Sequence, residues 1–226
     1  MGVFAFALST AAVVVGFVRL AVAEGPIYIR ADGSVDGTWK IQRDGNVYTF
    51  TDDIFTYERP YGIIIERDNI VIDGAGHILK GHKVDIIEHF SQSKPLTTGI
   101  SLEGRKNITI KNLQITEFNT GLRGRNCKGI KILCNKITNT VEGLWFLRSS
   151  HNILSSNNII GNSNGIFFES DYFNFIISEN NVSDNYYGIK IQLSNNNTIS
   201  GNHIAKTRTV SASSSPQITT LFLRIA

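Results

Sequence analysis

The residues able to do chemistry in this 226-residue chain are few and scattered. The soft metal donors are His77, His82, His89, His151, His203, Cys127 and Cys134. His82, Asp85 and His89 share one polar stretch and form the candidate metal site, for copper or calcium. Met1 is the single methionine, so no thioether supports a copper site. Cys127 and Cys134 flank Ile130-Lys131-Ile132, a short strand pattern, and that separation argues against a disulfide. Cys134 reads as a small buried residue. A hydrolase needs paired carboxylates, and a calcium-dependent lyase needs several carboxylates around one ion. Here Asp68, Asp73, Asp171 and Asp184 stand apart, and the neighbours Asp52 and Asp53 point to opposite sides of a strand. The reading leans away from an enzyme, and no cofactor is expected beyond the copper or calcium candidate.

Aromatic residues offer a different chemistry. Trp145 stands two residues after Gly143, and Phe167 two after Gly165. Arg123 and Lys190 occupy the same place after Gly121 and Gly188. Outward aromatics flanked by cations are the chemistry of a sugar-stacking platform, so these four residues are the candidate ligand-binding set, with polysaccharide or a cell-surface glycan as partner. Such a platform predicts both rings solvent-exposed on one sheet. Tyr172, Tyr186 and Tyr187 fall at nearby bends. The alternative is aromatic pairing that only stabilises a sheet face.

The elements that position these residues come from a repeat. Gly-apolar-x-apolar recurs at Gly99, Gly121, Gly143, Gly165 and Gly188, at spacings of 22, 22, 22 and 23. A further Asn falls thirteen to fifteen residues later, at Asn112, Asn135, Asn157, Asn180 and Asn202. Between these landmarks apolar residues alternate, as in Ile108-Thr109-Ile110, which is strand periodicity. Short strands turning the same way every 22 residues predict an all-β fold, a right-handed single-stranded parallel β-helix with an N-terminal β cap. Nineteen of the 21 asparagines lie between Gly99 and Ala205, which predicts amide ladders at the corners. Ile100, Leu122, Leu144, Ile166 and Ile189 should form one inward stack. Glu103 and Glu169 share a phase but sit three rungs apart, roughly 14 Å, too far to hold one ion.

The repeat sets the boundaries. Rungs run over 62–205, with an inserted loop at 80–98 between Gly62 and Gly99. Residues 24–61, with a hairpin predicted around Asp44-Gly45, cap the top. Residues 206–226 carry no Gly or Asn and read as an irregular tail. An uncovered last rung predicts end-to-end self-association or missing C-terminal domains. Residues 1–23 read as a signal peptide, with an apolar run over Val3–Val18 and Ala21-Val22-Ala23 before Glu24. The protein is therefore expected outside the cytoplasm, whether secreted, periplasmic or at the cell surface, and membrane-anchored if that segment is not cleaved. A net charge of +3 is too balanced to indicate nucleic acid, and two cysteines exclude a disulfide scaffold.

The phrase Gly62-Ile-Ile-Ile-Glu-Arg-Asp-Asn-Ile-Val-Ile-Asp-Gly74-Ala-Gly-His-Ile-Leu79, followed by Asn-Ile-x-Ile rungs, resembles the NosD-like β-helix proteins of the pectin-lyase-like superfamily. The resemblance covers about Ile27 to Ala205 and lies in the carbohydrate-binding and sugar-hydrolysis domain. It implies an exported prokaryotic protein. The function expected is a non-catalytic surface or polysaccharide-binding scaffold. The alternatives implied by the resemblance are a polysaccharide lyase or glycoside hydrolase, and a periplasmic copper-binding accessory protein.

Overall fold

The computed structural model describes residues 26–57, 59–85, 96–207, 211–213 and 218–225. The signal-peptide reading of residues 1–23 lies outside them. The described chain is all strand and turn and forms a parallel β-solenoid of about six turns with 22-residue rungs. Three faces run along it. The long face stacks Ile27–Ile29, Tyr61–Ile65, Thr98–Glu103, Thr120–Arg125, Glu142–Leu147, Asn164–Phe173 and Tyr187–Asn195. The second face carries strands such as Thr109–Lys111 and Lys131–Leu133, and the third carries strands such as Gln114–Thr116 and Lys136–Thr138. Strand Asn197–Ala205 turns the corner and pairs with both of these faces.

Inside, the expected stack is present. Ile100, Leu122, Leu144, Ile166 and Ile189 are rung-to-rung partners and fully buried, and Ile63 and Ile27 extend the column upward. Each such side chain removed from water stabilises the fold by about 1.5–3 kcal/mol. The repeat glycine has a steric cause. A Cβ built on Gly62, Gly99, Gly121, Gly143 or Gly165 would fall within 2.6 Å of the carbonyl oxygen of the next repeat glycine. Only a residue without a side chain lets successive backbones approach this closely.

The corners have their own rule. Residues of one column share the left-handed conformation: Asn69, Asn107, Gly129, His151, Asn174 and Asn196 at the first corner, with φ between 53° and 70°. The second corner holds Asn112, Cys134, Ser156, Glu179 and Gly201, with φ between 53° and 63°. The residue after each corner turns inward. After the second corner these are Leu113, Asn135, Asn157, Asn180 and Asn202, all buried. Each amide caps the rung before it: Asn157 Oδ1 accepts from Asn135 N at 2.9 Å and Asn135 Nδ2 at 3.1 Å, and Asn157 Nδ2 donates to Ile132 O at 2.8 Å and Asn180 Oδ1 at 2.9 Å. The ladder predicted from sequence is thus built on Asn135 to Asn202. Asn112 belongs one position earlier, on the exposed corner, because left-handed corners and buried amide positions both favour Asn.

At the top, Ile41–Asp44 and Val47–Phe50 form the predicted antiparallel hairpin, and its second strand continues in parallel onto Val71–Asp73. The buried Tyr48 hydroxyl donates to Gly33 O at 2.9 Å and ties the cap down. Asn119 grips both ends of the inserted loop: its Oδ1 accepts from Val84 N (3.1 Å) and Thr97 N (2.9 Å), and its Nδ2 donates to Val84 O (2.8 Å). The rungs on either side therefore stay in register, with Ile63 on Ile100.

The segment expected as an irregular tail adds strands instead. Ser211–Ser213 pairs with Tyr187–Asn195, and Ile218–Ile225 pairs with Asn197–Ala205, both in parallel. These strands take up backbone groups that the last rung would otherwise leave open.

Gly121→Ala should destabilise the protein by about 1–3 kcal/mol through overpacking against backbone, and Asn157→Ala by about 1–3 kcal/mol for each buried partner left unpaired, both read from denaturant unfolding. Deleting residues 208–226 should turn the protein into a self-associating species in light scattering. An unchanged monomer would mean that these strands do not protect the edge.

Candidate functional site

The outward positions of the long face form straight rows, because its strands pair in register. One row is Arg123, Trp145, Phe167 and Lys190. The neighbouring row is Thr120, Glu142, Asn164 and Tyr187, and a third is Arg125, Leu147, Glu169 and Gln192. The four residues singled out in the sequence are brought together, but not as an open shelf. All four are half-buried. The Trp145 and Phe167 rings lie near parallel, 10° between planes and 6.4 Å between centroids. From the next rung, Lys190 Nζ sits 4.7 Å from the Phe167 centroid. Phe167 is thus sandwiched along the solenoid axis between an indole and an ammonium, and its edge is what faces outward.

The row beside it holds a group that the sequence reading did not single out. Glu142 Oε1 accepts from Asn164 Nδ2 at 2.9 Å, while its Oε2 is buried without a hydrogen-bond partner. Burial pushes this carboxyl above the usual range. The charge of Glu169 adds to the rise, while the Asn164 hydrogen bond and the charge of Lys190 work against it. Trp145 Nε1 and Asn164 Oδ1 are also buried and unpaired. One donor and two acceptors therefore lack partners within two adjacent rows, where buried polar atoms normally have them. A signal for Glu142 existed in the sequence. Its column reads Tyr61, Thr98, Thr120, Glu142, Asn164 and Tyr187, so it is a lone carboxylate among neutral residues.

The family model for "Periplasmic copper-binding protein (NosD)" matches residues 49–219. The chain belongs to the NosD family. No curated protein matches the sequence.

In this NosD-family chain the candidate metal donors are dispersed. His82 and Asp85 are exposed at the start of the inserted loop, and His89 lies outside the described residues. Among the described residues no group of three His, Cys, Asp or Glu side chains is placed to hold a metal ion. Both cysteines are free. Cys127 is the buried one: its Sγ lies 3.4 Å from Leu102 O and 3.3 Å from Arg125 O, and burial pushes its thiol up to about 11. Cys134, expected to be buried, is exposed, because it stands on the left-handed corner column. His77 Nδ1 meets Asp53 Oδ1 at 3.2 Å, and His151 Nε2 meets Asn174 Nδ2 at 3.1 Å. Glu103 and Glu169 keep the separation read from the sequence, with Arg125 and Leu147 between them in register. Glu103 accepts from Asn126 Nδ2 at 3.1 Å. Among the described residues no helix is long and apolar enough to cross a membrane.

The raised Glu142 carboxyl fixes the sign of a pH effect. The folded protein holds this proton at pH values where the unfolded chain, at about 4.3, releases it. Stability therefore falls as pH rises from that value through the raised one. Glu142→Gln keeps the Oε1 acceptor and removes the charge. Thermal unfolding should show the variant gaining stability over the parent at pH 7 and converging with it near pH 3. A parallel offset at both values would contradict a buried carboxyl with a raised pKa.

Proposed function

We propose that this NosD-family protein is an exported, non-catalytic binding scaffold whose long face recognises polysaccharide. The observation that carries this reading is the set of unpaired atoms on that face: the Trp145 indole N–H as donor, with Glu142 Oε2 and Asn164 Oδ1 as acceptors. A sugar hydroxyl donates and accepts at once, so vicinal hydroxyls complement such a set, and the flanking Arg123 and Lys190 add donors. The atoms are covered on the unliganded face. Reaching them takes a shift of the Trp145 ring, whose cost the completed hydrogen bonds offset. The solenoid suits the task because main-chain pairing fixes every row and little is left to order on binding. The periplasmic description of the family and the signal-peptide reading of residues 1–23 support placement outside the cytoplasm.

The family description also names copper. The described donors of this chain do not fit that ion. Thiolates and imidazoles hold copper when they converge. Here the Cys127 thiol is pushed up to about 11 and rests on main-chain carbonyls, Cys134 stands on an exposed corner, and of the described histidines His77 follows a turn, His82 is in the inserted loop, His151 is at the first corner and His203 is in a strand. A lyase or hydrolase is less well supported than binding. Glu142 is the carboxyl with a raised pKa among the described residues, and its hydrogen-bond partner is an amide, not a second carboxyl.

A glycan array probed with the purified full chain, followed by calorimetry on the hits, tests the proposal. Trp145→Ala should lower affinity at least tenfold while costing about 1 kcal/mol of stability, the scale of a lost aromatic pair. In a Trp39→Phe background, binding should shift the fluorescence of Trp145. Glycan turnover, or glycan binding indifferent to Trp145, would overturn the proposal.

A further inference from the structure

Around the corner from the long face lies a groove of about 460 Å³ lined by Lys83, Gly161, Asp184, Tyr186 and Lys206 over a floor that includes Asn162. Its origin is a missing side chain. The third corner column reads Glu117, Asn139, Gly161, Asp184 and Lys206, all left-handed with φ between 50° and 71°. A Cβ on Gly161 would meet nothing within 4 Å, so the glycine opens a notch between Asn139 and Asp184. The floor is rigid. Asn162 Oδ1 accepts from Thr140 N at 3.0 Å, and Asn162 Nδ2 donates to Asn185 Oδ1 at 3.0 Å and Ile137 O at 3.2 Å. Tyr186 forms a wall. Tyr186 is 48% exposed, and its ring is braced edge-to-face on Tyr187, 4.7 Å between centroids at 83°. Tyr187 lies in the Glu142–Asn164 row, and its ring centroid is 5.9 Å from Lys190 Nζ, so the groove and the long face are continuous.

The charges in the groove are two ammonium groups and one carboxylate. Lys83 Nζ donates to Asn139 Oδ1 at 3.1 Å. Lys206 Nζ stands 3.6 Å from Asp184 Oδ1, a solvent-exposed pair that a competing anion displaces at little cost. We propose that the groove seats an anionic saccharide unit, its ring against Tyr186, its acidic group between Lys83 and Lys206, and its hydroxyls on Asp184. Phe167 is covered on both faces along the axis, whereas Tyr186 is exposed, which makes the corner the place where a sugar ring stacks. This inference rests on the polysaccharide reading and deepens it, by naming the subsite and the charge of the unit it takes.

The test is calorimetry of the full chain with three disaccharide probes: one carboxylated, one sulfated and one neutral. The two anionic probes should bind at least tenfold more tightly than the neutral one, with affinity falling as salt is raised. A carboxylated probe alone binding tightly, or a sulfated one alone, assigns the acidic group. Lys83→Ala with Lys206→Ala should erase the preference for charge, and Tyr186→Ala should weaken all three probes while Tyr186→Phe retains them. Gly161→Asn fills the notch with a residue that the same column already carries at Asn139, so it should fold normally and block binding. Binding lost in Trp145→Ala but untouched by Tyr186→Ala and Gly161→Asn would sink the groove and leave the long-face reading standing. Equal affinity for neutral and anionic probes would overturn the anionic assignment. Failure of every probe, and of the glycan array, would overturn both readings.

Discussion

Main-chain hydrogen bonding between rungs, in a register that shifts at Glu169/Tyr172 and in the pairing of Asn197–Ala205 with Ile218–Ile225, is the constraint on which this molecule rests. Paired residues of successive rungs sit about 22 positions apart in sequence, so the backbone geometry of a column is repeated from rung to rung. The repeat glycine permits that register by letting carbonyls of the next rung come within 2.6 Å of where a side chain would begin. The buried aliphatic stack and the asparagine ladders follow from it, since like residues meet like residues. Even the exceptions obey it. Gly124 interrupts the inner column of Leu102, Phe146 and Phe168, and the Phe146 ring occupies the space that the missing side chain leaves.

Much of this was legible in the sequence, because column identity is periodic and periodicity needs no coordinates. The glycine spacing located the inward stack and the outward row of Arg123, Trp145, Phe167 and Lys190, and Asp44-Gly45 located the hairpin. What escaped was anything decided by a single residue step. Asn112 and Asn135 look equivalent in sequence, yet one bends the chain on the surface and the other caps a buried amide. Cys134 was misread for the same reason. The strands Ser211–Ser213 and Ile218–Ile225 carry no marker glycine, so the repeat pattern did not reveal them. The orientation of the aromatic rings was equally hidden. Sequence places Phe167 on the outer face, but only geometry shows an indole on one side of it and an ammonium on the other.

The functional reading shares this division. Glu142 gains its character from burial beside Asn164, not from any motif, and the corner groove exists because one column position lacks a side chain. The two adjoin across a corner of the molecule, through Tyr186 and Tyr187. The proposed recognition surface is assembled from ordinary rung positions, with Lys83 of the inserted loop added at one side.

The left-handed corners carry a consequence for how such a molecule changes over time. At the second corner the backbone holds nearly one conformation while its occupants run through Asn, Cys, Ser, Glu and Gly. Their side chains leave the solenoid, so exchanging one for another leaves the aliphatic stack and the amide ladder intact. Geometry is inherited from the register, and chemistry is written onto it afterward. The corners act as an array of interchangeable slots at a pitch of about 4.8 Å, on which new surface specificities can be drafted one residue at a time without refolding the interior.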